Sequence, residues 1–292
     1  MNPLTVHIGG VPEHFNYPWY LLLKSKELQK DNINLRWQDF EGGTGAMVQS
    51  LVNGDIDLAL MLTEGVVKAI CDGAPIKLIK YFVSSPLVWG VHTHPVSGLQ
   101  NSQDLVHRLK NNPNTPVNVA ISRFGSGSHL MAYLYAKSLG IDPDKAFSMR
   151  EVGDLDSALS ELEQGKSDLF LWEKFTTQPY VTAFDYLRID AYPTPWPCFV
   201  LAGRSDFIEN QPDALQLIQN GINKHTQAML QRPELIKELA TRYKQEPSAI
   251  QLWLSSTQWS QKSVDHITIN QVQKELFNLG LIAETNPVDK FF

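Results

Sequence analysis

The sequence predicts an α/β protein of two lobes, each built around a mainly parallel sheet. Short strands alternate with amphipathic helices along most of the chain, which is the pattern of βαβ units. A series of strands and helices begins near Leu4, and a similar series begins near Val117. The 292 residues are long for one compact core and sufficient for two.

The first series contains short apolar strands, each followed by a turn and then a helix. The turn Glu41-Gly42-Gly43-Thr44-Gly45 is the clearest of these, because it joins an apolar strand to a helical pattern. The predicted strands are Leu4–Ile8, Leu35–Phe40, Ile56–Met61 and Pro75–Val83. The predicted helices are Pro18–Lys30, Ala46–Asn53 and Glu64–Asp72.

The second series has the same organisation, and a mostly helical region follows it. Its predicted strands are Leu87–Thr93, Val117–Ile121, Phe147–Val152 and Asp168–Trp172, with an extended segment Leu187–Asp190. Its predicted helices are Asp104–Lys110, His129–Leu139 and Asp156–Gln164. Phe199–Ala202 then returns to a sheet, and the helices Pro212–Gln231, Pro233–Tyr243, Pro247–Ser255 and Ile269–Leu279 complete the chain.

This order predicts that the second lobe is inserted into the first. Residues 1–86 and 194–292 would form lobe I, and residues 87–193 would form lobe II. Pro193-Thr194-Pro195-Trp196-Pro197 is too rich in proline for a central strand. We therefore expect two hinge segments, near 84–86 and 193–197, where Ser84 and Ser85 also lie close to a ligand.

Bulk charge and hydropathy exclude two classes of partner. The net charge is -6, and lysine and arginine are scattered, so the chain lacks the basic footprint of a nucleic-acid-binding protein. No apolar segment is long enough to span a membrane. An acidic protein can still bind an anion, because the local field at the site decides.

The amino terminus and the cysteines suggest a cytoplasmic location. The first predicted strand begins almost at Met1, without the segments of a signal peptide. Cys71 and Cys198 are interpreted as two thiols in a reducing compartment, and a single disulfide between them is the alternative. If a leader has been removed, the protein would instead be periplasmic or lipid-anchored.

Two pairs of motifs carry a resemblance to a known family. Phe40-Glu41-Gly42-Gly43-Thr44-Gly45-Ala46-Met47, followed by Gly54-Asp55-Ile56-Asp57, resembles the first-lobe motif of the nitrate, sulfonate and taurine substrate-binding proteins. Ala120-Ile121-Ser122-Arg123-Phe124-Gly125-Ser126-Gly127-Ser128-His129, followed by Gly165-Lys166-Ser167-Asp168, is similar to their second-lobe motif. The order of elements matches over nearly the whole chain.

The resemblance implies a fold and a function. The fold would be the two-lobed periplasmic-binding-protein-like fold of the two-crossover type, with a Venus-flytrap cleft between the lobes. The implied function is binding of a small, anionic organic molecule such as a sulfonate, nitrate, taurine or a thiamin precursor. An exported member would serve an ABC transporter, whereas the first strand near Met1 makes the chain most similar to leaderless intracellular members.

Enzymes of the thiamin-pyrimidine type share this fold, so an enzyme acting in thiamin-pyrimidine or aromatic metabolism is the alternative function. Those enzymes carry a cysteine-rich motif that this chain lacks. The sequence shows no nucleophile elbow and no Cys–His pattern, and His14 with Glu64 is the sole acid–base pair we nominate. His92 and His94 lack an evident third metal ligand. No catalytic residue, metal or cofactor is therefore expected.

The two glycine-rich turns are the strongest candidate binding sites. A helix begins after each turn, so unpaired N–H groups and the positive end of the helix dipole could hold an anion there. Arg123 could add a guanidinium. Ordinary tight turns and a surface arginine are the alternatives. The candidate residues in these turns are Gly43, Thr44, Gly45, Arg123, Gly125, Ser126, Gly127 and Ser128.

Further candidates follow other predicted strands, where ligands collect in α/β proteins. Aromatic and polar side chains there could line a pocket, whereas packing or helix capping is the alternative for each. They are His14, Asn16 and Trp19 after the first strand, Thr63 and Glu64 after the third, Trp172 and Glu173 after Asp168–Leu171, and Trp196 near the second hinge.

Overall fold

The computed structural model describes residues 3–183 and 185–292, and the side chains of 182 and 183 are not described. The chain divides into two compact units. The larger unit consists of Met1–Ser85 and Trp196–Phe292, and the smaller unit of Pro86–Pro195. The lobe boundaries expected from the sequence, after residues 86 and 193, lie within two residues of these divisions.

The described residues form ten strands, five in each unit. Most are short, apolar and buried, because both faces of each sheet are covered. In the larger unit they are β1 (Leu4–Gly10), β2 (Ile33–Asp39), β3 (Leu58–Leu62), β4 (Ile76–Val83) and, after the return of the chain, β10 (Phe199–Arg204). Those of the smaller unit are β5 (Val88–Thr93), β6 (Val117–Ile121), β7 (Phe147–Glu151), β8 (Leu169–Glu173) and β9 (Leu187–Pro193).

Helices connect most of these strands and form most of the carboxy-terminal region. The helices up to β10 are α1 (Tyr17–Ser25), α2 (Gly43–Asn53), α3 (Thr63–Cys71), α4 (Ser102–Asn111), α5 (Gly127–Ser138), α6 (Pro143–Ala146), α7 (Leu155–Glu163) and α8 (Gln178–Ala183). After β10 follow α9 (Ser205–Asn210), α10 (Pro212–Leu230), α11 (Leu235–Tyr243), α12 (Pro247–Ser256) and α13 (His266–Asn278). Short 3-10 turns span His14–Asn16, Glu27–Asp31, Pro95–Ser97 and Val288–Phe291.

Both sheets have the same topology. Their strand orders are β2-β1-β3-β10-β4 and β7-β6-β8-β5-β9. Within each sheet four strands run in one direction, whereas β10 and β5 pair antiparallel with both of their neighbours. β5 is the first strand after the chain enters the smaller unit, and β10 is the first after it returns. The prediction of mainly parallel sheets is confirmed, with one reversed strand in each.

The segments that join the units run side by side. In the smaller unit, Leu87 and Thr194 exchange two hydrogen bonds, from Thr194 N to Leu87 O at 2.9 Å and from Leu87 N to Thr194 Oγ1 at 3.0 Å. In the larger unit, Cys198 N donates to Ser85 O at 3.2 Å. Pro193 ends the edge strand β9, where a residue without an N–H group is tolerated.

The structure also bears on the cysteines and on membrane-spanning segments. Cys71 is half-buried and Cys198 is buried, and the two do not form a disulfide. No helix among the described residues is long and apolar enough to cross a membrane.

Candidate functional site

Two helix starts lie together at one edge of the larger unit's sheet. Leu62 N, at the end of β3, donates to Thr44 Oγ1, in the first turn of α2, at 3.1 Å. Gly65, in the first turn of α3, approaches the same threonine so closely that a Cβ there would lie 2.4 Å from Thr44 Cγ2. Gly43 takes a left-handed conformation with a φ of +63°, and Gly45 is half-exposed. Thr44 therefore joins α2 to α3.

Glu64 forms a buried pair with Trp196 beside this contact. Trp196 Nε1 donates to Glu64 Oε2 at 2.8 Å, while Glu64 Oε1 has no hydrogen-bond partner among the described residues. Glu64 is 3% exposed, and its burial raises the pKa of its carboxyl group to about 6. Thr63 Oγ1 fixes the same segment by donating to Pro197 O at 2.6 Å. The sequence placed these residues in separate regions, whereas the fold brings them together.

The loop after β1 has a packing role, which differs from our expectation of a ligand pocket. Trp19 is fully buried and packs against Trp37 and Phe82. His14 is 1% exposed, and its ring lies 4.1 Å from that of Trp253. The aromatic residues that looked like pocket walls instead fill the core under the carboxy-terminal helices.

Asn16, Ser84 and Ser85 hold backbone segments. Asn16 Nδ2 donates to Val11 O at 2.9 Å, which closes the loop after β1. Ser84 N donates to Gln258 O at 2.8 Å, and Gln258 N donates to Ser85 Oγ at 3.1 Å. The two serines thus fasten the end of β4 to the segment that follows α12.

The turn from β6 to α5 in the smaller unit, residues 122–128, concentrates hydroxyl groups. Ser122 N donates to Ser128 Oγ at 2.9 Å, and Ser128 Oγ lies 3.0 Å from Ser126 Oγ and 3.3 Å from Ser122 Oγ. All three serines are buried. Three hydroxyl hydrogens serve two hydroxyl–hydroxyl contacts, so one remains to donate outside the cluster.

Helix α5 begins inside this cluster. Ser126 is its N-cap, and the Ser126 side chain accepts the N–H of His129 at 3.4 Å. The N–H groups of Gly127 and Ser128, the first two residues of the helix, have no acceptor inside the helix. They are placed, with the positive end of the helix dipole, next to the serine hydroxyls.

His129 was missed as a separate candidate, although it lies in the quoted motif. His129 Nδ1 accepts the N–H of Gly125 at 3.0 Å, and Gly125 has a φ of +78°. Burial lowers the pKa of His129, which favours a neutral ring. The sequence signal was its position three residues after an N-cap serine.

Arg123 and Phe124 form the outer part of the turn. Arg123 is half-exposed, whereas the Phe124 side chain is 61% exposed. Phe124 N donates to Glu151 Oε2 at 3.3 Å. The Phe124 N–H group is therefore occupied, whereas the first N–H groups of α5 have no acceptor inside the helix.

Glu173 and Trp172 end strand β8, at the same end of the sheet as the turn of residues 122–128 that follows β6. Glu173 is buried and Thr176 N donates to its Oε2 at 2.5 Å; burial raises the pKa of Glu173, and the Arg188 charge opposes this. The Trp172 ring stacks on Phe170 with centroids 5.3 Å apart and joins a hydrophobic cluster. Trp172 lies within β8 and shares a sheet face with Phe170, since alternate side chains of a strand point to the same face. The expectation that Trp172 follows the strand and lines a ligand pocket is therefore corrected.

Trp89 is a second residue that is absent from the candidates chosen from the sequence. It lies directly opposite Glu173 in the β5–β8 pairing and is buried. Its Nε1 has no hydrogen-bond partner among the described residues. Strand β5 runs antiparallel to β8, which places Trp89 beside Glu173. The direction of β5 could not be recognised from hydropathy.

The proposed acid–base pair is not assembled. His14 Nε2 and Glu64 Oε1 both lack a hydrogen-bond partner among the described residues, so these two atoms are not bonded to each other. Burial lowers the pKa of His14 to about 3. Within residues 3–183 and 185–292, no group of three or more His, Cys, Asp and Glu side chains could hold a metal ion.

Comparison with protein families and solved structures identifies the fold. Residues 95–191 match a family model described as Ca3427-like PBP. The Candida albicans CA3427 gene product, described as defining a new family with the generic periplasmic binding protein fold, has a TM-score of 0.85 and 22% identity, covering 98% of this chain and 93% of that one. No curated protein matches the sequence.

Two binding proteins of bacterial origin have the same fold. The periplasmic aliphatic sulphonate binding protein SsuA from Escherichia coli has a TM-score of 0.73 and 14% identity, covering 99% of this chain and 92% of that one. The periplasmic nitrate-binding protein NrtA from Synechocystis PCC 6803 has a TM-score of 0.70 and 15% identity, covering 99% and 84%. The periplasmic-binding-protein-like fold predicted from the sequence is confirmed.

Proposed function

We propose that this chain, which has the periplasmic-binding-protein fold, binds a small anionic organic molecule at the turn of residues 122–128. The observation that carries the proposal is the serine cluster at the start of α5. A spare hydroxyl hydrogen, two helix N–H groups and the helix dipole converge there on one small region. All three favour negative charge, and the half-exposed Arg123 adds to them.

The relatives of this fold support the same class of ligand. SsuA is described as a sulphonate-binding protein and NrtA as a nitrate-binding protein, and both ligands are anions. Sulfonate, carboxylate and phosphate groups present several acceptor oxygens, which suits a site made of hydroxyl and N–H donors. The proposed ligand carries one such group on an organic body.

A thermal-shift panel of matched pairs tests the charge of the ligand. Methanesulfonate is compared with dimethyl sulfone, acetate with acetamide, and tetramethylammonium serves as the cation. A ligand that binds the folded state raises Tm. The proposal requires a larger rise for the anions than for their neutral partners, and larger rises for the neutral compounds or the cation would refute it.

The location of binding needs a variant and a matched control. Ser126→Ala/Ser128→Ala removes two hydroxyls of the cluster, whereas Ser248→Ala/Ser263→Ala removes two exposed hydroxyls of the larger unit. The anion-dependent rise in Tm should disappear in the first double variant and persist in the second. An unchanged rise in the first would exclude the turn as the binding site.

We further propose that residues 84–86 and 193–197 form a hinge between the two units. The boundaries of the units fall within these segments, and hydrogen bonds pair the segments on both sides. Ligand binding should then shift an equilibrium between conformations. Small-angle scattering at saturating ligand should show a smaller radius of gyration, and an unchanged radius would argue against the hinge.

We also propose that the protein acts in the cytoplasm, without a membrane transporter. Two thiols, one of them buried, suit a reducing compartment. Protein isolated from its natural source and unfolded without reductant should give two reactive thiols. A disulfide-bonded pair would favour an exported protein and an ABC transporter partner.

A further inference from the structure

A cavity lies within the smaller unit, and no residue of the serine-rich turn lines it. Its volume is about 530 Å³. Helix α7 forms one side, and the segment leading into β9 forms another. The side chains that give it chemical character are those of His94, Asp156, Glu163, Tyr180, Asp185 and Tyr186.

Helix α7 places two carboxylates along the same side of the cavity. Asp156 and Glu163 are seven residues apart, which is two helical turns, so both lie on one face about 10.5 Å apart along the axis. Leu159 and Ser160 lie between them and line the floor. Both acidic residues are exposed. The spacing suits an extended ligand with positive charges near its two ends.

Two tyrosines form an aromatic wall near these carboxylates. Tyr186 Oη donates to Leu159 O at 3.1 Å, and the Tyr186 ring lies edge-on to His94 with centroids 5.6 Å apart. Burial raises the pKa of Tyr186, and the charge of Glu163 raises it further. Burial and the charge of Asp156 likewise raise the pKa of Tyr180. Each tyrosine is therefore close to one carboxylate of α7.

The charge of the lining has a single sign. Asp185 adds a third carboxylate, and the described lining residues include no lysine or arginine. Aromatic faces attract cations and also pack against methylene groups. We propose that this cavity binds an extended aliphatic polyamine, with one ammonium group near Asp156, another near Glu163 and the methylene chain against the tyrosines.

This proposal does not depend on the anion site. The two regions have opposite charge preferences and different lining residues, although both belong to the smaller unit. The presence or absence of polyamine binding therefore does not decide whether the protein binds an anion, and the reverse also holds.

Titration calorimetry with spermidine tests the cavity. Asp156→Asn/Glu163→Gln removes both helix carboxylates and keeps their shape. The matched control Asp55→Asn/Glu209→Gln removes two exposed carboxylates from the larger unit, so both variants change the net charge equally. We expect about a tenfold loss of affinity in the first double variant and less than about a twofold change in the control.

Three results would overturn the proposal. One is the absence of measurable binding at about 10 mM spermidine. Another is an equal loss in both double variants, which would indicate diffuse attraction to an acidic protein. The third is unchanged affinity in Tyr186→Leu, which removes the aromatic ring beside His94.

Discussion

The indole nitrogen of Trp196 donates a hydrogen bond of 2.8 Å to Glu64 Oε2, and both side chains are buried. This bond joins the start of α3 to the segment that re-enters the larger unit. It satisfies one carboxylate oxygen only, since Glu64 Oε1 has no partner among the described residues. A buried carboxyl group in this situation favours its neutral form.

Glu64→Gln should change how stability depends on pH. The folded pKa of Glu64 is about 6 against an ordinary value of 4.5, so the folded state holds the extra proton between these values. The wild type therefore loses stability as pH rises through this window, by about 2 kcal/mol in total. Glutamine retains an oxygen that accepts from Trp196, and it does not ionise, so the variant does not lose this stability as pH rises.

Urea unfolding at about pH 4 and about pH 8 measures this effect. The stability of Glu64→Gln relative to wild type should rise by about 2 kcal/mol between the two conditions. Glu209→Gln, which changes an exposed carboxyl group, serves as the control. A constant difference between Glu64→Gln and wild type would show that folding does not raise the pKa of the Glu64 carboxyl group.

His14→Phe should have the opposite dependence. Burial lowers the folded pKa of His14 from 6.5 to about 3, so the unfolded state takes up the proton first as pH falls below 6.5. Wild-type stability decreases accordingly, by about 1.4 kcal/mol from this residue between pH 7.5 and 5.5. Phenylalanine keeps the contacts with the surrounding rings and does not titrate.

The unfolding free energies at these two pH values give the comparison. His14→Phe should lose less stability on acidification than wild type, whereas His107→Gln, an exposed histidine on α4, should follow wild type. Parallel losses in all three proteins would contradict a buried, neutral His14.

A double-mutant cycle tests the contact between α2 and α3. Gly65→Ala places a methyl group 2.4 Å from Thr44 Cγ2, so we expect a loss of about 1–3 kcal/mol in unfolding free energy. Thr44→Ser removes that Cγ2 and keeps the hydroxyl that accepts from Leu62 N. Adding Thr44→Ser to Gly65→Ala should recover most of the loss. Strictly additive effects would show that the two residues are not in contact.

Arg123→Ala should weaken binding of the anion that gives the largest thermal shift. A charge-assisted hydrogen bond contributes about 1.5–3 kcal/mol, so an affinity loss of about tenfold or more is expected. Gly127→Val should weaken it further, because a branched side chain at the first residue of α5 blocks approach to the helix N–H groups. Titration calorimetry measures the affinity of both variants. Unchanged affinity in Arg123→Ala would show that the guanidinium does not contribute to the site.

The βα series were predictable from the sequence because a long periodic pattern defines each element. Strands β6 and β4 lie at or within one residue of their predicted bounds. The predicted helix Pro18–Lys30 is instead α1 and a 3-10 turn, since Lys26 takes a left-handed conformation with a φ of 56°. The short helices α6, α8 and α9 were not predicted, because four to six residues are too few for a periodic signal.

The candidate site was predictable only in part. The serine-rich turn could be located because glycine and serine at a strand–helix junction form a local pattern. The pairing of Glu64 with Trp196 joins residues 132 positions apart, which no local pattern reveals. Trp19 and His14 were misassigned for a related reason, since their partners come from distant strands and from the carboxy-terminal helices.

Amide chemical shifts of the isotope-labelled protein, recorded while the anion with the largest thermal shift is added, test anion binding at the turn most directly. The N–H groups of Gly127 and Ser128 start α5 beside the serine cluster. Their signals should move downfield with saturation, more than the amide signal of Asp213 in the exposed first turn of α10. Saturating shifts confined to residues outside 122–129 would contradict the account.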